Sequence, residues 1–397
     1  MLSACASRSS FLSRQLFTLL TVFSLGLFTV SSAHAATYYV SNLGSNSNSG
    51  AQGSPFKTIQ HAADVAKAGD TVIVAAGTYR EAIKSKNDGT ASARIRFVSE
   101  DAYNKTGKMG TKIISSGQNV SWMILGDFVD VEGFDVTAAD NAHVGIGSYG
   151  NYTRIMYNYV HDYKMVGPCD SNGGAGINNM NYDSVGKEII GNVVHSIGTN
   201  FLGSGEYCNQ IHGIYHATRG GKVENNIVYN SASAGIHLWH APANVSVTNN
   251  LSFSNRGAGL IFGCGDKPFV QCKNITVANN IFMNNGRFGI REYGNNDSSN
   301  RVLNNITYQN GGIEIEMKQG TASGNMTDTN PMLKNFQPGG GGDYTLAAGS
   351  PAMGKGINCG GCNIGPDSSI ISPPPSGQLP AGGGAGGGGL GLGNCFK

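Results

Sequence analysis

Three residues of this 397-residue chain are of types that could do acid–base work on a sugar: His237, Arg291 and Lys318. Elimination at a uronate needs positive charge at the sugar carboxylate and a base for the proton at C5. The charge lowers the cost of a carbanion-like transition state, and the base must be poised near the working pH. Arg291 would neutralise the carboxylate, with His237 or Lys318 as base. A calcium ion on Glu314 and Glu316 is a second source of positive charge. Tyr215, Trp239, His240 and Tyr293 would offer rings for a sugar to stack on. A hydrolase would instead need two carboxyls flanking the glycosidic bond. Glu314 and Glu316, two apart on one strand face, stand about 6.6 Å apart at the backbone. One strand does not readily place an acid on each side of a sugar, so elimination is preferred.

These residues come together only if a repeat stacks them. Gly–aliphatic steps recur at Gly145–Ile146, Gly176–Ile177, Gly213–Ile214, Gly235–Ile236, Gly259–Leu260, Gly289–Ile290 and Gly312–Ile313, spaced by 31, 37, 22, 24, 30 and 23 residues. A shortest period of 22 to 24 with insertions is that of a solenoid with equivalent coils and unequal loops. Between the steps lie the pairs Asn225–Asn226, Asn249–Asn250, Asn279–Asn280 and Asn304–Asn305, followed by a second column, Asn230, Asn255, Asn285 and Asn310. An Asn in a left-handed turn can bond its counterpart one coil on and satisfy backbone groups that are otherwise buried and unpaired. Short Val- and Ile-rich runs with no helical period make the fold class all-β, a right-handed parallel β-helix (a solenoid) of nine or ten coils.

With the residue after each Gly turned inward, alternation points Gly147, Asn178, Tyr215, His237, Ile261, Arg291 and Glu314 outward. A neighbouring outward column runs Tyr149, Met180, Ala217, Trp239, Gly263, Tyr293 and Glu316. His212 and His216 have inward parity and read as core histidines bonded to the ladder. Glu292, also inward, implies a bulge or an acid paired with a cation. Glu314, Glu316 and Lys318 read equally as a solvated face, and Arg291 as a stacking surface arginine. Two insertions, Tyr163–Gly174 with Lys164 and Asp170 and Gly198–Asn209 with Glu206, are placed to rim the groove.

Residues 1–35 read as a secretory signal: Arg8 and Arg14, an apolar stretch from Leu16 to Val30, then Ala33-His34-Ala35. Without its two arginines the 27 basic residues become 25, matching the 25 acidic ones. Zero net charge argues against a nucleic-acid partner. No later segment is long and apolar enough to span a membrane. Seven cysteines remain, as an oxidising compartment permits, and Cys264–Cys272, Cys359–Cys362 and Cys169–Cys208 are the expected disulfides. Pro55–Ala68 reads as a helix capping the first coil, and Asp343–Leu346 as the closing piece at the other end. The domain spans 36–365, and 366–397 form a Pro- and Gly-rich disordered tail holding Cys395.

The opening of the domain, Tyr38-Tyr39-Val40-Ser41, Pro55-Phe56-Lys57-Thr58-Ile59-Gln60, Ala68-Gly69-Asp70-Thr71-Val72 and Gly77-Thr78-Tyr79, resembles the pectate lyase-like superfamily of secreted β-helix proteins. The resemblance implies the fold over residues 37–355. It does not extend to the Asp-Pro-His-Asp motif of alginate epimerases or the polygalacturonase series, which Ile211-His212-Gly213-Ile214 only grazes. Glu314-Ile315-Glu316-Met317-Lys318 loosely resembles the calcium-and-base segment of chondroitinase-type lyases, with a different Lys spacing. The expectation is a monomeric, secreted protein acting on an extracellular polysaccharide by β-elimination. The alternative is a non-catalytic carbohydrate-binding or cell-surface structural β-helix.

Overall fold

A computed structural model describes residues 35–367, apart from 118, 141, 166–168, 170–172, 203–207 and 266–271. Of the expected features, the signal sequence through residue 34, Asp170, Glu206 and the tail beyond 367 with Cys395 lie outside the described residues. Three strands per turn stack in parallel into an 11-stranded sheet (sheet 1, with Lys222–Glu224) and two 9-stranded sheets (sheet 2, with Ile227–Ser231, and sheet 3, with Ile211–His216), with register pairs between successive coils parallel. Parallel crossovers of this kind wind right-handed. The expected β-helix is the fold observed.

Buried aliphatic columns fill the inside. Val223, Val247, Val277 and Val302 point in from sheet 1, and Ile214, Ile236, Leu260 and Ile290 from sheet 3, all fully buried. Where the chain turns from sheet 1 to sheet 2, the two members of each Asn pair divide the work. The first, at 225, 249, 279 and 304, takes a left-handed φ of 54–58°. The second builds the ladder: Asn226, Asn250, Asn280, Asn305 and Asn325 each accept, at 2.9–3.0 Å, the backbone N–H and Nδ2 of the Asn one coil before. The chain continues downward through Asn192 to Asn158. Of the expected second column, Asn255, Asn285 and Asn310 form a ladder, but Asn230 does not. Ser231 occupies that place and donates its N–H to Asn255, while Asn230 reaches out to the Gly339 carbonyl.

The capping helix is shorter than expected, Ile59–Val65, because Thr58 caps it and Glu81 accepts the Ile59 and Gln60 N–H groups at 2.9 Å. The other expected cap is elsewhere. Asp343–Leu346 pairs antiparallel with Leu333–Asn335 and lies along the flank of sheet 2, not over the last coil. The reason is an apolar outer face there, Ile227, Leu251, Ile281 and Ile306 beside Tyr229, Phe253 and Met283, which Phe336, Tyr344 and Leu346 cover. The three expected disulfides are present.

Asn280→Ala would leave the Asn250 N–H without its acceptor, and would take one acceptor from Asn250 Nδ2 and one donor from the Val247 carbonyl in the core. The expected cost is roughly 3 kcal/mol or more, read as a lower urea midpoint at unchanged m-value. An unchanged midpoint would contradict a structural ladder.

Candidate active face on sheet 3

The outer side of sheet 3 carries the candidate residues, and its register is continuous: Lys84, Met123, Gly147, Asn178, Tyr215, His237, Ile261, Arg291 and Glu316 stand opposite one another in successive coils. Coils lie about 4.8 Å apart. The column runs as expected until its last member. Ile290 pairs with Ile315 and Arg291 with Glu316, so Glu314 falls opposite Gly289. The repeat here is 25 residues, the interval from Asn280 to Asn305, and the Gly312–Ile313 step is a false match two residues short.

That slip leaves Glu316 in the column and takes Glu314 out of it. The Glu314 carboxylate takes the Asn310 N–H at 3.0 Å and Nδ2 at 2.5 Å, ending the second ladder where no further Asn follows. Glu316 lies 2.7 Å from Arg291 Nε, off the N–H direction, so the contact is coulombic rather than a directed hydrogen bond. One carboxylate is committed to backbone and ladder, the other to a cation, and the pair does not fit a calcium ion. Arg291 is also clamped, 4.5 Å from the Phe288 ring and 4.7 Å from Tyr293. Lys318 follows Tyr293, with Nζ 5.6 Å from its ring. Buried Glu292 pairs with no cation among the described residues; it accepts the N–H groups of Lys318, Gln319 and Gly320 at 2.6–3.1 Å.

The alternation itself breaks at each glycine. A Cβ on Gly213 would meet Val228 at 2.2 Å, one on Gly176 would meet Val194 at 2.4 Å, and the following Ile is buried too. Glycine and aliphatic both face the core, so the residue before the glycine faces out. That puts His212 on the working face, against its expected parity. Its Nε2 is 2.9 Å from His237 Nδ1, and its ring stacks 5.4 Å from Tyr215. His212 Nδ1 is buried without a hydrogen-bond partner among the described residues. His216 is inward as expected, bonded to Asn179 at 2.8 Å.

Around this centre the rings assemble. His237 meets Tyr215 edge-on at 5.3 Å and Trp239 at 5.4 Å. His240 packs 4.0 Å from Tyr182, and Trp239 stacks 5.8 Å from Tyr293 across side-chain-free Gly263. A cleft of 260 Å³ opens beside them, lined by Tyr149, Asn178, Met180, Asn181, Tyr182 and Tyr215. Asn178 Oδ1 is buried there without a hydrogen-bond partner among the described residues. Arg291 is two coils from His237, about 10 Å along the backbone. His237 and Tyr215 are brought together; Arg291, Lys318 and the glutamates form a separate patch.

Among solved structures, the chain is similar to pectate lyase Pel9A, with a TM-score of 0.61 over 83% of this chain and 95% of that one, at 16% identity. A rhamnogalacturonan lyase aligns with a TM-score of 0.55 over 73% and 87% of the two chains, at 17% identity. The fold is that of the pectate lyase-like β-helices. A family model described as "Protein of unknown function (DUF1565)" matches residues 42–88 of this chain. Over 83 residues the chain is 36% identical to "Uncharacterized protein YwoF" of Bacillus subtilis (strain 168), a match spanning 21% of this chain and 16% of that protein. The chain thus spans about a sixth of the curated relative's length.

Burial holds the His237 imidazole well below its ordinary pKa, assisted by His212 and His240. It is neutral at neutral pH. Burial also lowers His195 and His212 to about 3 and His216 to about 4. Unfolded imidazoles titrate near 6.5, so between pH 6.5 and 4 the unfolded chain takes up protons that the fold refuses, and stability falls with pH. His161 works oppositely: burial disfavours its charged form, but Asp135 and Asp162 prevail and raise its pKa. Its contribution is full below pH 6.5 and fades as pH rises through the folded value. Unfolding free energy should drop by roughly 5 kcal/mol per pH unit as pH falls below about 6, four protons' worth from His195, His212, His216 and His237. Urea titrations across pH check this, and a flat profile to pH 4.5 would contradict it.

Proposed function

We propose that this protein is a secreted polysaccharide lyase that acts on a uronate-containing glycan by β-elimination across the outer face of sheet 3. The observation that carries the reading is the run Asn178, Tyr215, His237 on three successive coils, backed by the His212–His237 bond. A fold shared with two lyases supports it, and three disulfides support secretion.

Each member has a distinct part. The Asn178 amide donates to the sugar carboxylate and stabilises charge building toward it. Neutral His237 removes the C5 proton through Nε2, with His212 fixing the ring through Nδ1. The C5–H electrons form the C4=C5 double bond as the C4–O bond breaks, and the Tyr215 hydroxyl protonates the departing oxygen. The proton on His237 then returns to Tyr215 through solvent. A strongly lowered pKa makes His237 always available as a base but a weak one. A bound uronate beside it raises that pKa and strengthens the base. Trp239, Tyr293 and Arg291 serve as a stacking subsite two coils along.

A hydrolase is disfavoured because Glu316, already paired with Arg291, is the one carboxylate in this outward column among the described residues. One observation favours inert sugar binding: the cation nearest the exposed rings is already neutralised.

The test is absorbance of unsaturated product on a panel of uronate polysaccharides. His237→Gln and Tyr215→Phe should each lower kcat at least about 100-fold, while Arg291→Ala should raise KM with kcat nearly kept. Arg291→Ala alone abolishing kcat would place the chemistry at the other patch. Sugar binding without any absorbance would favour the inert reading.

A further inference from the structure

The cleft lining contains no charged side chain, since Tyr149, Asn178, Met180, Asn181, Tyr182 and Tyr215 are all neutral. A charge lies directly behind it. Lys187 has no solvent exposure, and its Nζ donates to the carbonyls of Ser148 at 2.7 Å and Met180 at 2.5 Å. Ser148 immediately precedes Tyr149, and Met180 itself lines the cleft, so the ammonium ties the two walls together from beneath.

Building on the glycan reading above, we propose that Lys187 is a positioning and specificity residue whose buried ammonium makes the cleft select anionic over neutral sugars. Buried charge is poorly screened by salt or water, so it acts on a ligand through the intervening carbonyls. The groups around it leave it uncompensated. Asp127 attracts it only through space and gives its carboxylate to Asn151. Glu188 turns outward to Arg154 at 3.3 Å, and neighbouring His216 is neutral. Burial lowers the Lys187 pKa to about 7, so the charge is present below neutrality and fades above it.

Calorimetric binding of tetragalacturonate and of neutral galactotetraose to the full chain, at pH 6 and pH 8.5, tests this. Both sugars keep their charge over this range. His237 is neutral in the free protein, His161 lies on sheet 2, and any pH effect from His237 or from His240 beside Tyr182 would persist in Lys187→Met. The acidic sugar should bind roughly tenfold more weakly at pH 8.5 than at pH 6, with the neutral sugar unchanged. Lys187→Met should bind the acidic sugar weakly at both pH values; circular dichroism checks its folding, and the wild-type pH series stands without it. Acidic-sugar affinity that ignores pH overturns the inference, as does equal weakening of both sugars in Lys187→Met, which marks a mere prop. Either result leaves the glycan reading intact. If the wild type binds neither sugar, both fall together.

Discussion

Everything in this molecule depends on coils stacking without slipping, and the buried Asn ladder is what forbids a slip. A turn between parallel sheets leaves backbone groups facing the core with no strand partner. Here each ladder Asn accepts two hydrogen bonds from the coil before and donates to carbonyls of its neighbours. A shift of one residue would break several of these at once and turn apolar columns toward solvent. The ladder therefore fixes coil length more strictly than the hydrophobic pattern does.

A fixed register converts sequence columns into surface columns. Asn178, Tyr215 and His237 are far apart in the chain yet adjacent on the face, one coil each. The glycine before each inward aliphatic adds a second inward residue, which brings His212 out to meet His237. The same geometry isolates Arg291, folded against Phe288 and Tyr293 and paired with Glu316 near the solenoid's end. The proposed chemistry is thus concentrated at mid-solenoid. There the Cys169–Cys208 disulfide joins the two insertions that precede Gly174–Asn179 and Ile211–His216.

The period of the Gly steps and Asn pairs made the fold legible in the sequence, as did the outward column from Gly147 to Arg291. Errors arose where two periodic signals disagreed. At the last coil the Gly step gave 23 residues and the Asn interval 25, and the ladder won, displacing Glu314 from the face. Simple alternation misplaced His212 because a steric fact, glycine against the Val228 side chain, doubles the inward position. Asn230 was one residue out, with Ser231 standing in the ladder. Lys187 carried no sequence signal, since its burial depends on a turn between sheets 3 and 1 that no spacing reveals. The flank cover by residues 333–346 was equally hidden, being set by the apolar outside of sheet 2.

The account stands on where sugar meets this surface. The most direct measurement is a crystal structure of the His237→Gln variant soaked with tetragalacturonate. The account predicts a uronate ring across Asn178, Tyr215 and residue 237, its carboxylate toward the Asn178 amide. Sugar seated only on Trp239, Tyr293 and Arg291, with the central coils empty, would contradict it.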